Sequence, residues 1–302
     1  MSSRPTDPPR GATPRKVTVP DVRARKGGEP LVMVTAYDAP TARIADEAGV
    51  DLVLVGDSLG MVVLGMEDTL RVDLDDMVRH AAAVTRMRPS ALVIVDMPFL
   101  SYHTGPRDAV LAAGRLVREG GAEAVKLEGG QRRAPVVRAL VDAEIPVVGH
   151  IGLTPQSLHR MGGYRVQGRA VREVERLLAD ADALVEAGIF LLVLEGVPAE
   201  VAAMVTERVP VPTIGIGAGA GCDGQVLVIH DLLGLTPGPA PRFVRRYADL
   251  HGVAVDAVRR FADDVRGGRF PSRTESYRLP RETAAALGLR PSRTATEGGG
   301  WN

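Results

Sequence analysis

The residues predict an α/β chain closed into a (β/α)8 TIM barrel, with a short N-terminal helix and mobile ends. Three observations carry this. Eight short, β-branched apolar runs recur along the chain. A turn bearing Gly or an acid follows nearly every run, and amphipathic stretches rich in Ala, Arg, Glu and Val lie between them. Runs this short and uniformly apolar suit parallel strands buried on both faces, and strands alternating with helices suit a parallel sheet. A doubly wound open sheet would carry a glycine fingerprint after its first strand, and TAYDAP (35–40) is not one.

The elements follow in order. Val17–Lys26 reads as a short helix able to plug the barrel bottom. The predicted strands are Leu31–Ala36, Leu52–Val55, Ala91–Val95, Ala124–Leu127, Val147–Gly149, Phe190–Leu194, Thr213–Ile216 and Val226–Ile229. Pro40–Ala48 is a helix with Asp38 as N-cap and Gly49 as stop. Asp108–Glu119 ends at Gly120 and Gly121, Arg172–Ala187 ends at Gly188, and Val253–Arg266 is the last helix. No domain boundary is visible between 17 and 270. Residues 1–15 and 272–302 lack an apolar pattern, so they are expected to be mobile tails flanking a catalytic domain over 16–271.

Composition excludes several classes. The 302-residue chain is 45% hydrophobic, enough for one large domain. Its 37 basic and 37 acidic side chains cancel, which gives no electrostatic case for nucleic acid or an anionic membrane. The single Cys222 rules out an internal disulfide and reads as a small buried hydrophobe. The polar N-terminus does not read as a signal peptide, and no run approaches the roughly 20 apolar residues of a membrane span. A cytoplasmic enzyme is expected.

The apolar runs deliver acids. LVLVGDS (52–58) delivers Asp57, ALVIVDMP (91–98) Asp96, AVKLEGG (124–130) Lys126 and Glu128, VVGH (147–150) His150, and FLLVLEGVP (190–198) Glu195. In a barrel the residue just past each strand's carboxyl end is expected to face the mouth, where catalytic groups sit. Converging acids repel, and a divalent cation or a held proton relieves them. Asp57, Asp96 and Glu128 offer only oxygen, which suits Mg2+ or Mn2+; the plainer alternative is that each acid caps a helix. Lys126 shares a strand face with Glu128 and needs an anion, either a substrate oxygen or Glu128 itself. His150 is a ligand, an acid–base group or a satisfied core residue. His80, His103, His159, His230 and His251 follow no ligand spacing and read as structural or surface residues. Gly215–Gly219 reads as a phosphate loop, a close backbone approach to a ligand or a plain turn.

With these residues in hand, the chain resembles the ketopantoate hydroxymethyltransferase family over roughly 17–270. The matching stretches are 34–65 (VTAYDAPTARIADEAGVDLVLVGDSLGMVVLG), DMPFLSYHT (96–104), VKLEGG (125–130), VVGHIGLTPQS (147–157), GGYRVQGR (162–169), LEGVP (194–198) and 214–235 (IGIGAGAGCDGQVLVIHDLLGL). The resemblance implies a (β/α)8 barrel assembled as a homodecamer, with one Mg2+ per subunit on Asp57, Asp96 and Glu128. It implies a 2-oxo acid held by Asp57, Ser58, Asp96 and Lys126, with Glu195 as proton acceptor. It also implies hydroxymethyl transfer from 5,10-methylenetetrahydrofolate to 3-methyl-2-oxobutanoate, a step of pantothenate synthesis. One departure is Gly196, where the family pattern has a cysteine. GGYRVQGR reads as a loop near the mouth. The competing readings are a Mg-dependent lyase or mutase of the isocitrate lyase and phosphoenolpyruvate mutase type, and a non-catalytic barrel.

Overall fold

Eight parallel strands close into one barrel in sequence order: β1 (Leu31–Thr35), β2 (Leu52–Val55), β3 (Leu92–Asp96), β4 (Ala124–Glu128), β5 (Val147–Gly152), β6 (Leu191–Glu195), β7 (Thr213–Ile216) and β8 (Gly224–Leu227), with β8 pairing back onto β1. The computed structural model describes residues 15–289. The outer parts of both expected tails, 1–14 and 290–302, lie outside the described residues.

Alternation along each strand separates two cores. Leu52, Leu54, Leu92, Ile94, Val148, Leu191 and Val193 fill the barrel interior with Met33 and Ile214. Val53, Val55, Val93, Val95, Val125, Leu127, Leu192 and Leu194 face outward, against the helices. Burying a side chain of this size contributes about 1.5–3 kcal/mol, so most runs are apolar throughout because both faces of the strand are covered; Val32 in β1 and Gln225 in β8 are exposed exceptions.

The helices appear where the caps predict. Helix α1 (Val19–Arg23) is shorter than expected, and its Val22 is fully buried among the interior residues, so it does plug the bottom. Helix α2 (Ala39–Glu47) starts at Asp38, whose carboxylate accepts from Thr41 N–H at 2.8 Å. Next come α3 (Leu59–Val62), α4 (Leu74–Thr85), α5 (Pro106–Arg118), α6 (Ala134–Asp142), α7 (Leu158–Met161), α8 (Val171–Ala187), α9 (Ala199–Arg208) and α10 (Ile229–Leu232). Helix α8 stops at Gly188, which sits in the left-handed region at φ 104°.

The β7–β8 connection is a loop through 217–223. The glycines here serve close packing, not an open phosphate cradle. Gly217 has φ +61°, and a Cβ on it would lie 3.0 Å from the Phe243 ring, while a Cβ on Gly219 would collide with Ala199. The chain divides into two compact units after Asp249. Residues 235–249 (LTPGPAPRFVRRYAD) lie between α10 and the next helix and form no regular element. The unit from Leu250 holds α11 (Leu250–Arg266) and α12 (Arg281–Ala286), with Phe261 edge-on to Phe270. Part of the expected C-terminal extension is thus helical.

At the strands' amino ends, three acids each precede a strand and lock its neighbour. Asp51 accepts from Val32 N–H at 2.8 Å, Glu123 from Val93 N–H at 2.8 Å and Asp223 from Thr213 N–H at 2.8 Å. Cations of the N-terminal segment complete them: Lys16 reaches Glu123 at 2.7 Å and Lys26 reaches Asp223 at 2.9 Å.

Candidate active site

The interior parity of the strands continues past the apolar residues. Leu92 and Ile94 lead to Asp96, Ala124 to Lys126 and Glu128, Val148 to His150, and Leu191 and Val193 to Glu195. Each polar residue inherits the inward face at the carboxyl end. Register then sets neighbours: Asp96 beside Lys126, Glu128 beside His150, and Gly152 beside Glu195. The expected position shifts slightly. Asp96, Glu128 and Glu195 are the last residues of their strands, and His150 lies inside β5. Asp57 alone lies beyond its strand, carried back by Gly56. A Cβ at Gly56 would sit 2.8 Å from Ser58 Oγ and 3.5 Å from Asp96 Oδ2, so glycine permits the approach.

All the sequence-predicted site residues converge. Asp57 N–H donates to Asp96 Oδ2 at 3.1 Å. Lys126 Nζ lies 3.1 Å from Asp96 Oδ1, which has no aligned hydrogen bond; the contact is mainly electrostatic. Lys126 Nζ is 3.2 Å from His150 Nδ1, and His150 Nε2 lies 3.2 Å from Glu195 Oε2, again off the hydrogen-bonding axis. Ser58 Oγ pairs with Tyr37 OH at 2.9 Å. Glu195 is the most open acid of the set, with 17% of its side chain exposed against 4% for Asp96 and Glu128.

The charges are out of balance. Burial, then the nearby Asp96 charge, pushes the Asp57 carboxyl up to about 7. Burial, then Asp57, holds Glu128 well above the usual carboxylate range. Burial alone would depress Lys126, but Asp96, Glu128 and Asp57 together raise it. Burial and then Lys126 lower His150, keeping the ring neutral. An ammonium facing Nδ1 makes that nitrogen the acceptor, which places the ring proton on Nε2, toward Glu195.

Besides Tyr37, two residues escaped the sequence reading. Gln156 Nε2 donates to Asp57 Oδ2 at 2.8 Å and to Met97 O at 3.0 Å, and its backbone N–H donates to Glu128 Oε2 at 3.0 Å. Tyr102 OH donates to Gln156 Oε1 at 2.6 Å and accepts from Glu128 N–H at 3.2 Å. The stretches TPQS and LSYHT held them, but no spacing rule marks an uncharged Gln or Tyr as a partner of distant acids.

A cation fits this donor set. Three buried carboxylates face one ammonium, and Asp96 Oδ1 has no aligned donor. Among the described residues no group of three His, Cys, Asp or Glu is arranged to hold a metal ion by itself. Mg2+ needs only one or two carboxylates and fills its shell with water and substrate oxygens, and Asp57 and Asp96 could supply the carboxylates.

The sequence profile described as ketopantoate hydroxymethyltransferase matches residues 16–273. A 3-methyl-2-oxobutanoate hydroxymethyltransferase from Koribacter versatilis is 57% identical over 265 residues, covering 88% of this chain and 90% of that protein. Another from Moorella thermoacetica is 58% identical over 264 residues, covering 87% and 98%. Among solved structures, 2,3-dimethylmalate lyase, a PEP mutase/isocitrate lyase superfamily member, aligns with TM-score 0.56 at 20% identity, covering 91% of this chain and 95% of that one. Phosphonopyruvate hydrolase in complex with oxalate and Mg++ aligns with TM-score 0.55 at 14% identity, covering 90% and 95%. These two similarities speak to the barrel fold alone. The profile match and the relatives' identity over nearly the whole barrel establish that the chain belongs to the ketopantoate hydroxymethyltransferase family.

Proposed function

We propose that the protein transfers a hydroxymethyl group from 5,10-methylenetetrahydrofolate to 3-methyl-2-oxobutanoate, giving 2-dehydropantoate. The observation carrying this is that Asp57 and Asp96, 39 residues apart, meet in one mouth with Lys126 and Glu195. The C3–H bond beside the ketone breaks, and Glu195 Oε2 takes the proton. C3 then bonds to the donor's methylene carbon while both carbon–nitrogen bonds of that methylene break. One water supplies the new hydroxyl, and its other proton and the C3 proton end on the two carrier nitrogens.

The chain's own groups divide this work. Glu195, the most open acid, meets substrate, and a positioned base contributes about 10²–10⁴-fold. His150 Nε2 lies 3.2 Å from Glu195 Oε2 and presents its proton to that side, an electrostatic contact that steadies the carboxylate. Lys126 places a positive charge where oxygen charge develops. Ser58 and Tyr37 border the substrate's other edge. Asp57 and Asp96, with Glu128 behind them, would hold Mg2+, which supplies Lewis-acid stabilisation of the keto oxygen.

The test is product formation by purified protein given the 2-oxo acid, the folate donor and Mg2+. No 2-dehydropantoate, or bond cleavage of 2-oxo acids without donor, would replace this reading with the lyase one. Asp96→Ala is expected to weaken Mg2+ binding in calorimetry at least tenfold; unchanged affinity would put the metal elsewhere. The same reading carries a cytoplasmic homodecamer, tested by fractionation and sedimentation.

A further inference from the structure

Beside the acid cluster opens a cleft of about 900 Å³, walled by Tyr102, Glu128, Gly129, Ile151 and Gly152. That is far more room than a small branched 2-oxo acid fills, and it falls in the range of sites for larger ligands. Gly152 is paired in register with Glu195, and Leu153 N–H donates to Glu195 O at 2.7 Å, so the cleft abuts the proposed base.

Its two ends differ in chemistry. Near the acids lies an aromatic shelf. His103 stacks 4.3 Å from Tyr102 and edge-on at 5.1 Å to Phe99. His103 Nδ1 is buried with no hydrogen-bond partner. Arg133 is already placed over Tyr102, 5.3 Å from the ring centre. At the rim stand Arg132, Arg160 and Arg176, all exposed. None of the three forms an ion pair with an acid among the described residues. The rim acids are occupied locally: Glu173 accepts from Arg169 N–H at 2.8 Å and Asp180 from Gln131 N–H at 2.9 Å. The rim therefore carries more positive than negative charge, while the floor is aromatic.

We propose that this cleft seats the one-carbon donor, its flat ring system against Phe99 and His103 and its tail carboxylates on Arg132, Arg160 and Arg176. The proposal rests on the transferase reading above and extends it to the second substrate. Arginine's planar fork suits carboxylates, and several weak rim pairs add up for a tail with several charges.

The test pairs two measurements. In Arg160→Ala/Arg176→Ala, KM for a donor bearing several tail glutamates rises at least tenfold, and the preference over a single-glutamate donor disappears. Deuterium exchange at C3 of the 2-oxo acid, which needs no donor, reports the neighbouring site separately. Exchange present with donor KM unchanged overturns the cleft assignment alone. Exchange absent in the wild type overturns the transferase reading instead. On the wild-type protein, tetrahydrofolate is expected to slow phenylglyoxal labelling of Arg160 and Arg176, read by mass spectrometry. Undiminished labelling under saturating tetrahydrofolate also overturns the proposal.

Discussion

The two ends of the barrel use the same residue types to opposite effect. At the amino ends, Asp51, Glu123 and Asp223 each accept a backbone N–H of the adjacent strand, and Arg25, Lys16 and Lys26 stand beside them. At the carboxyl ends, Asp57, Asp96 and Glu128 are buried around one lysine, and their charges exceed their partners. The difference is visible in ionisation. Burial works against the Asp223 charge, but Lys26 and the N–H groups of Gly27 and Thr213 overcome it, and the carboxyl is held below its usual range. Asp57 and Glu128 are driven the other way. A satisfied carboxylate is a staple. An unsatisfied one is a store of binding energy for a cation and substrate, at a cost in stability.

Variants at each end sharpen the contrast. Glu195→Gln is expected to lower C3 deuterium exchange, followed by NMR without folate, by about 10²–10⁴-fold while leaving unfolding unchanged. Exchange at the wild-type rate would remove Glu195 from its role. Asp223→Ala should do the reverse, with about 3–5 kcal/mol of stability lost in urea unfolding. The folded fraction should keep its exchange rate; loss of exchange in folded protein would mean the two ends are coupled. Gln156→Leu leaves Asp57 Oδ2 and Tyr102 without their partner, and about 10–100-fold weaker Mg2+ binding is expected at near-normal stability. Unaltered Mg2+ affinity would make Gln156 packing only. The smallest effect is on acid stability. Because the folded Asp223 carboxyl lies below its unfolded value of about 3.9, its contribution is present above that pH and lost as pH falls through the folded value. Asp223→Asn should flatten the acid limb of stability measured between about pH 6 and pH 3. A limb as steep as the wild type's would assign acid sensitivity to other carboxylates.

Much of this was legible beforehand, for a definite reason. Strand runs apolar on both parities, Asp38 as a cap and Gly188 as a stop are local signals, and local signals survive folding. The acids after the runs could be aligned to one rim because a barrel puts every strand's carboxyl end on one side. The role of the β7–β8 link was not legible, since a glycine-rich stretch reads alike as cradle, turn or close approach until Phe243 and Ala199 are in place. Gln156 was hidden because its partners are 99 residues away at Asp57 and 54 at Tyr102.

The stretch around β2 condenses the division. Asp51-Leu-Val-Leu-Val-Gly-Asp57 carries an aspartate at each end of one apolar run, much as Glu123 precedes β4 and Glu128 ends it. The order of residues by itself determined the strand, its burial and the placing of one acid at each end. Only the assembled barrel decided that Asp51 meets an N–H and an arginine while Asp57 meets another aspartate. Solvation and hydrogen bonding are set by neighbours in space, and those neighbours come from other strands.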